Sequence, residues 1–294
     1  MELEKLFLLQ TFAMAYHWRN SGFALVEDRE SNIMLGEDEY SRIENNVLKL
    51  AVQLYPNTYE KSAIKQFMNK FICPLPVANH IFNYNSIKNA AMIGTSQLIM
   101  VHQGYSTLPY HLKSERITAF DINTPVVALN KRKMTSTLSA RVRTRLADNL
   151  EDSMTILSKH NGYSEKAISI ITLGCIPLFI EKERFKNFLT SLNDKLSSGS
   201  SVVFCYGDEN FTSADCDESA IFAKELVKRD CYAGYTYEEM EKLLSQRGFL
   251  IYEHLTRDDM QKQYFDQHNI INHSDLSATG NISYILAVKK EKKN

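Results

Sequence analysis

Apolar residues recur at helical spacing through the first third of the chain. Four segments place hydrophobic side chains three or four residues apart: 3–18, 40–54, 61–71 and 77–92. The prolines of Cys73-Pro-Leu-Pro76 are expected to interrupt the chain before the last of these helices, because proline disfavours helix at itself and at the preceding residue. The pattern predicts that residues 1–92 form a helical cap.

From about residue 95 short apolar runs alternate with amphipathic segments. The predicted strands are 97–101, 117–121, 167–173, 201–205, 249–255 and 282–288. The helices predicted between them are 126–134, 150–160, 182–196, 219–228 and 236–247. This alternation predicts that residues 93–294 form an α/β domain with a Rossmann-like, mostly parallel sheet. A short helical piece and a polar loop separate the last two strands, so the final strand is expected to insert antiparallel.

One pair of residues in this region suggests a ligand. The strand 97–101 runs into a turn at Gly104, and the next predicted strand ends on Asp121. In Rossmann-like sheets a glycine at the first turn lets the backbone approach a nucleoside, and an acid after the next strand accepts hydrogen bonds from ribose hydroxyls. The alternative is an ordinary turn followed by a surface acid, which one glycine and one acid alone leave open.

Composition narrows the class of protein. With 294 residues, a net charge of −1 and a pI near 6.7, the chain gives no support for a nucleic-acid-binding surface. The basic run Lys131-Arg132-Lys133 is expected to be a solvated helix face. No apolar run reaches the roughly 18 residues that span a bilayer, so no membrane attachment is expected. The five cysteines are scattered and the eight histidines form no metal-binding pattern, which predicts a cytoplasmic protein with reduced thiols and no metal.

The segments 97–112 and 117–125 together resemble a known family. Leucine carboxyl methyltransferase-like proteins, which include bacterial S-adenosylmethionine-dependent O-methyltransferases of small-molecule and polyketide biosynthesis, carry a stretch close to Q-V-V-L-L-G-A-G-L-D-T-R-A-Y-R-L and then E-V-D-x-P. The chain matches this stretch in register at Gln97, Gly104, Thr107, Tyr110, Leu112 and Pro125. Asp121 stands at the position of the family's ribose-binding glutamate. Looser matches extend from about residue 10 to 288.

The resemblance implies a class I methyltransferase fold, with a Rossmann-like sheet whose last strand is antiparallel, and S-adenosylmethionine as cofactor. Residues expected beside the methionine part are Gly104, Tyr105 and Thr107. Asp121 and Ile122 are expected to hold the ribose, and Asp148 or Asn149 with Leu150 to face the adenine. Leu173 and Asn79 stand where the family has further cofactor contacts. These assignments come from the matched positions in this sequence.

The expected acceptor is a carboxylate or hydroxyl group of a small molecule. A carboxylate needs no base, whereas a hydroxyl benefits from one, and His102 in the cofactor loop is the candidate, with His80 and His111 as alternatives. The N-terminal helices are expected to form a lid whose aromatic residues select the acceptor: Phe12, Tyr16, Trp18 and Phe23. A homodimer and a complex with other biosynthetic proteins are both compatible with the sequence.

Several family residues are replaced. His102 and Gln103 stand in place of a glycine and an alanine, Asn79 in place of an arginine, and Leu173 in place of a glutamate. An asparagine lacks the bidentate, charged contact that arginine makes with a carboxylate. These losses favour an alternative in which a divergent member has lost methyl transfer and serves as a ligand-binding or non-catalytic partner, or catalyses another reaction in the same pocket. A nicotinamide-dependent dehydrogenase is the third reading, and it lacks a GxGxxG sequence.

Overall fold

The computed structural model describes residues 3–112, 117–138, 142–227 and 232–291. The N-terminal part is helical, as predicted, and consists of α1 (Leu3–Asn20), α2 (Arg29–Leu54), α3 (Glu60–Phe67), a π-helical turn (Met68–Ile72) and α4 (Pro74–Met92). Helix α2 begins well before the predicted residue 40, because the Asp28 side chain accepts a hydrogen bond from the Ser31 N–H and caps the helix. A kink at Gly36, where φ is +68°, allows the longer helix to bend.

The two prolines lie at the start of a helix, and the helical structure there is interrupted at only one residue. Pro74 and Pro76 lie in the first turn of α4, and Cys73 alone separates that helix from the preceding π-helical turn. The first N–H groups of a helix have no intrahelical acceptor, so proline costs little there. The predicted interruption at residues 73–76 is therefore confined to Cys73.

Seven strands of the described chain form one sheet: β1 (Gln97–Val101), β2 (Thr118–Asn123), β3 (Val142–Leu146), β4 (Ser169–Gly174), β5 (Ser201–Gly207), β6 (Phe249–Leu255) and β7 (Ile282–Lys289). Their order is β3-β2-β1-β4-β5-β7-β6. The pairs β1–β2, β2–β3, β1–β4 and β4–β5 are parallel, whereas β7 inserts between β5 and β6 antiparallel to both. The predicted Rossmann-like sheet with an antiparallel last strand is confirmed.

Strand β3 was not among the predicted strands. Its residues Val142-Arg-Thr-Arg-Leu146 are apolar only at the two ends, and all of them are partly or fully exposed because the strand lies at one edge of the sheet. A central parallel strand is apolar throughout because both faces are covered, whereas an edge strand can carry arginines without burying charge.

Helices of the second part cover both faces of the sheet: α5 (Pro125–Met134), α6 (Ser153–Ser158), α7 (Lys182–Lys195), α8 (Glu218–Val227), α9 (Tyr237–Gln246), α10 (Arg257–Met260) and α11 (Asp266–Asn272). The helix predicted over 150–160 is shorter, since residues 148–152 form the turn that leaves β3. The predicted end of another helix, Lys228, lies outside the described residues.

Alternate residues of the central strands belong to opposite hydrophobic clusters. In β1, Leu98 and Met100 pack in the cluster that contains the residues of α1 to α4, whereas Ile99 and Val101 pack with α6, α7 and α9. The N-terminal helices therefore share a core with one face of the sheet. The domain boundary at residues 92 and 93 stays a prediction. Throughout the described ranges, the helices are too short or too polar to cross a lipid bilayer.

Asp28 connects the N-terminal helices to the segment after β1. Its carboxylate accepts hydrogen bonds from Ser31 N–H and Oγ, from Thr107 Oγ1 at 2.8 Å, and from His111 Nε2 at 3.1 Å. Burial alone would raise the pKa of Asp28, but the hydrogen bond from His111, the charges of His80 and His111 and the Ser31 hydroxyl together lower it to about 2.

This network predicts acid sensitivity. The folded-state pKa of Asp28 lies below its ordinary value of 3.8, so its contribution to stability is present above that value and is lost as the pH falls towards about 2. We expect Asp28→Asn to lower the free energy of unfolding at neutral pH by about 2 kcal/mol. Urea unfolding between pH 7 and 2 measures this. The exposed neighbour Glu27 supplies the control, Glu27→Gln, and an Asp28→Asn curve that keeps the wild-type slope below pH 4 would contradict the assignment.

Candidate active site

A cavity of about 320 Å³ lies at the carboxyl ends of β1, β2 and β4, and α1 and α4 cover it. Ligands of open α/β sheets bind at this edge, and the volume lies within the range of small-molecule sites, about 300–1,000 Å³. The predicted site residues that line the cavity are Asn79, His102, Tyr105, Thr107, Asp148, Asn149, Leu150 and Leu173. Gly104, Asp121 and Ile122 do not line it, and each belongs to the turn or strand behind the wall.

The turn after β1 is built from backbone in the left-handed region. His102 has a φ of +48° and Gly104 a φ of +57°. The His102 N–H donates to the carbonyl of Ile122 at 2.7 Å, and the Gly104 N–H donates to Asn123 Oδ1 at 3.1 Å. A Cβ on Gly104 would lie 2.3 Å from the ring of Phe7 in α1. The glycine thus allows α1 to pack against the turn, and Phe7 occupies the space where a ligand was expected.

Asp121 is held inside the protein. Its side chain is 1% exposed, with Oδ2 2.9 Å from Lys131 Nζ and Oδ1 accepting a hydrogen bond from Asn123 Nδ2 at 2.8 Å. Lys131 is 3% exposed, so the expectation of a solvated face is wrong for this lysine. Asn123 lines the cavity in place of the acid. Since its amide bonds both Asp121 and Gly104, the acid fixes the orientation of Asn123 and, through it, the turn after β1.

His102 joins that turn to the loop after β3. Its Nε2 lies 3.2 Å from the carbonyl oxygen of Asn149, so this nitrogen donates and Nδ1 is the nitrogen able to accept a proton. Burial lowers the pKa of His102, although the Asn149 carbonyl and the charges of Asp121 and Glu151 act in the opposite direction. Near neutral pH the imidazole is therefore uncharged, beside the residues predicted to face the adenine.

Neutral polar groups lie at the end of β4. Gln103 Nε2 donates to Thr172 Oγ1. Gly174, with a φ of +55°, lies next to this pair, and a Cβ there would be 3.5 Å from Asn79 Nδ2 and 3.7 Å from the Gln103 amide carbon. This part of the wall offers amides and a hydroxyl, and Asn79 stands where the leucine carboxyl methyltransferase-like proteins have an arginine. Arg184 is the only lysine or arginine among the lining residues that the structure describes. Its Nε lies 2.7 Å from Glu151 Oε1 in an ion pair.

Two further histidines lie near α4: His80 lines the cavity, and His111 lies behind its wall. His111 Nε2 is 3.1 Å from Asp28 Oδ1 and 3.3 Å from Glu30 Oε2, and its ring centroid is 4.9 Å from that of His80. Burial lowers the pKa of His80 to about 4, so the ring is neutral near pH 7, and its Nε2 is buried with no hydrogen-bond partner among the described residues. Ligand atoms of Asp28, Glu30 and His111 lie within 4.8 Å of one another. Four hydrogen bonds already occupy Asp28, which favours a structural network over a cation site.

Several lining residues could not be located from the sequence. One face of α1 covers the cavity, through Leu6, Phe7, Gln10, Thr11 and Met14, and Asn83, Thr124 and Cys175 also line it. The four aromatic residues expected to select the acceptor do not line it: Phe12 and Tyr16 are core residues, and Phe23 is 72% exposed. That expectation is wrong, because helical spacing identified α1 without showing which of its faces meets the cavity.

Comparison with known proteins agrees with this architecture. A Bacillus subtilis (strain 168) protein named "Putative S-adenosyl-L-methionine-dependent methyltransferase YktD" is 25% identical over 302 residues, which cover 96% of this chain and 97% of that protein. The crystal structure of a "putative methyltransferase" from Thermobifida fusca YX superimposes with a TM-score of 0.55 at 12% identity, covering 90% of this chain and 94% of that one. No family model matches the sequence. The sheet order and the second comparison show the fold of a class I methyltransferase.

Proposed function

We propose that the protein is an S-adenosylmethionine-dependent methyltransferase that acts on a small molecule. The observation that carries this proposal is the cavity at the carboxyl edge of β1, β2 and β4, in a chain similar over nearly its whole length to a protein named as such a methyltransferase. The finer parts of the proposal are membership of the small-molecule branch of the leucine carboxyl methyltransferase-like family, a biosynthetic role and a cytoplasmic location.

The cavity wall fits such a cofactor in part. Asp148, Asn149 and Leu150 would hold the adenine, and Asn123, oriented by Asp121, would meet the ribose. Tyr105 and Thr107 would lie on the methionine side, and Asn79 would contact the carboxylate through its amide. A neutral amide replaces a charged clamp, so we expect weaker binding than an arginine would give, since a hydrogen bond to a charged partner is worth about 1.5–3 kcal/mol. When bound, S-adenosylmethionine supplies a methyl group that the sulfonium charge already activates.

The charge of the wall favours a hydroxyl acceptor over a carboxylate. Arg184 forms an ion pair with Glu151, and its side chain is 49% exposed. Lys131 forms an ion pair with Asp121 behind the wall. A carboxylate entering this part of the described chain would find no unpaired lysine or arginine, and burying an unpaired charge is costly. A hydroxyl enters neutral and gives up its proton during the reaction. We propose His102 Nδ1 as the group that accepts it.

This role predicts a pH profile. A base must be unprotonated to act, and burial lowers the pKa of His102 below its ordinary 6.5, so turnover should stay level near pH 7 and fall only below pH 6.5. We expect His102→Gln to reduce turnover by about 10²–10⁴-fold and to remove this acid limb. The assay follows transfer of a tritiated methyl group to 1-naphthol, with 1-naphthoic acid as the matched carboxylate. Faster methylation of the acid, or a variant with an unchanged profile, would contradict the assignment.

The second candidate is a scaffold that has lost methyl transfer. Two observations favour it. Phe7 fills the space above Gly104, and Lys131 forms an ion pair with the carboxylate of Asp121. Both contacts have to be compatible with a bound nucleoside for the first proposal to hold.

Calorimetric titration with S-adenosylhomocysteine separates the two candidates. The methyltransferase proposal expects a dissociation constant in the micromolar range, and absence of binding at millimolar concentration would favour the alternative. Asp148→Ala removes a lining carboxylate and should weaken binding at least about tenfold, which corresponds to about 1.4 kcal/mol. The matched control is Asp194→Ala on the exposed side of α7, where no change is expected.

A further inference from the structure

Two cysteines of neighbouring strands face each other at the wall of the cavity. Cys205 lies in β5, and Cys175 follows directly on Gly174, the last residue of β4. Gly174 is in register with Phe204 of the parallel neighbour, and the cysteines that follow these two residues pack in the same hydrophobic cluster. The Cys205 thiol donates to Cys175 Sγ with a sulfur–sulfur distance of 2.8 Å.

The two thiols differ in access. Cys175 is partly exposed and lines the main cavity as well as a second cavity of about 40 Å³. Cys205 is completely buried, and that burial, together with the hydrogen bond to Cys175, raises the pKa of its thiol well above the ordinary value. A soluble oxidant therefore reaches Cys175 first. Cys205 is shielded from the oxidant but lies in contact with the Cys175 sulfur.

We propose that Cys175 and Cys205 form a reversible disulfide, so that the cavity wall is a site of oxidative modification. A peroxide oxidises Cys175 to a sulfenic acid, with release of one water when the oxidant is hydrogen peroxide. Cys205 then attacks that sulfur; the sulfur–sulfur bond forms, the sulfur–oxygen bond breaks, and the leaving hydroxide takes the Cys205 proton as a second water. A thiol reductant reverses the reaction by thiol–disulfide exchange.

The distance between the two sulfurs is short enough for this bond to form with little movement. The sulfurs need to approach by less than about 1 Å to reach the disulfide length near 2.05 Å. In a reducing compartment such a bond is transient. A transient disulfide is better suited to regulation than to holding the fold together. The bond would tie the turn at Gly174 to β5 and fix this part of the wall, beside Asn79 and Gln103.

Intact-mass spectrometry of the full chain after treatment with hydrogen peroxide tests the proposal. We expect the loss of two hydrogens, a cross-linked peptide pair containing Cys175 and Cys205, and recovery with dithiothreitol. Cys175→Ser and Cys205→Ser should each abolish the cross-link, whereas Cys73→Ser, which removes a buried thiol in another part of the fold, should leave it intact. Addition of oxygen atoms without cross-linking, or a cross-link to any other cysteine, Cys231 included, would overturn it.

A second arm depends on the proposed function. With S-adenosylhomocysteine at about ten times its dissociation constant, alkylation of Cys175 by iodoacetamide should slow about tenfold, because only the unliganded fraction reacts. The disulfide itself forms in the absence of any cofactor. Failure of the first arm therefore refutes the disulfide, whereas failure of the second arm alone counts against the cofactor site.

Discussion

A Gly104→Ala substitution is expected to lower the free energy of unfolding by about 2–5 kcal/mol. Two costs add. The left-handed backbone at a φ of +57° costs an alanine about 1–2 kcal/mol. The new Cβ would also lie 2.3 Å from the Phe7 ring, and overpacking of this kind costs about 1–3 kcal/mol. Urea unfolding at neutral pH measures the sum.

A matched glycine separates these costs. Gly36 has a φ of +68°, and a Cβ at that position would meet nothing within 4 Å, so Gly36→Ala should lose only the backbone contribution, about 1–2 kcal/mol. In the Gly104→Ala background, Phe7→Ala removes the clash, and the double variant should lose less than the sum of the single variants. Equal losses at positions 36 and 104 would mean that Phe7 does not press on the turn.

The fold could be predicted where the residues of a segment are mostly apolar. Strand β1 is buried at every residue and β6 keeps an apolar pattern, so both could be recognised from their composition. Strand β3 could not, because an edge strand need not be apolar. The interruption predicted at Pro74 and Pro76 is wrong, because the cost of proline depends on its position within a helix and only the structure shows that both lie in the first turn of α4.

The candidate site was predictable in its location and less so in its contacts. Residues at strand ends, such as His102 and Leu173, line the cavity because the topology of a parallel sheet brings those ends together. Two contacts have no sequence signal: Phe7 against Gly104, and Lys131 against Asp121. A basic run on a helix is usually solvated, and what buries Lys131 is the acid on the neighbouring strand, a pairing that emerges only when α5 packs against β2.

The buried ion pair between Lys131 and Asp121 is also expected to have a large effect on the free energy of unfolding. Lys131→Met is expected to lower the free energy of unfolding by about 3–5 kcal/mol, because it leaves the Asp121 carboxylate buried without its counter-charge. Lys133→Met, on the exposed side of the same helix, is the control and should stay within about 0.5 kcal/mol of the wild type. A loss of similar size in both variants would show that helix propensity, and not the pair, determines the result.

The double variant Asp121→Asn/Lys131→Met then shows what the acid does for the site. Removing both charges should recover most of the stability, since a buried pair replaced as a whole costs far less than one that is broken. Asparagine can still accept the hydrogen bond from Asn123, so the turn after β1 should keep its orientation. If Asp121 acts through Asn123, the affinity for S-adenosylhomocysteine measured by calorimetry will change by less than about threefold, which is below 1 kcal/mol. A loss of a hundredfold or more in a folded double variant would instead mean that the carboxylate leaves Lys131 and binds the ribose directly.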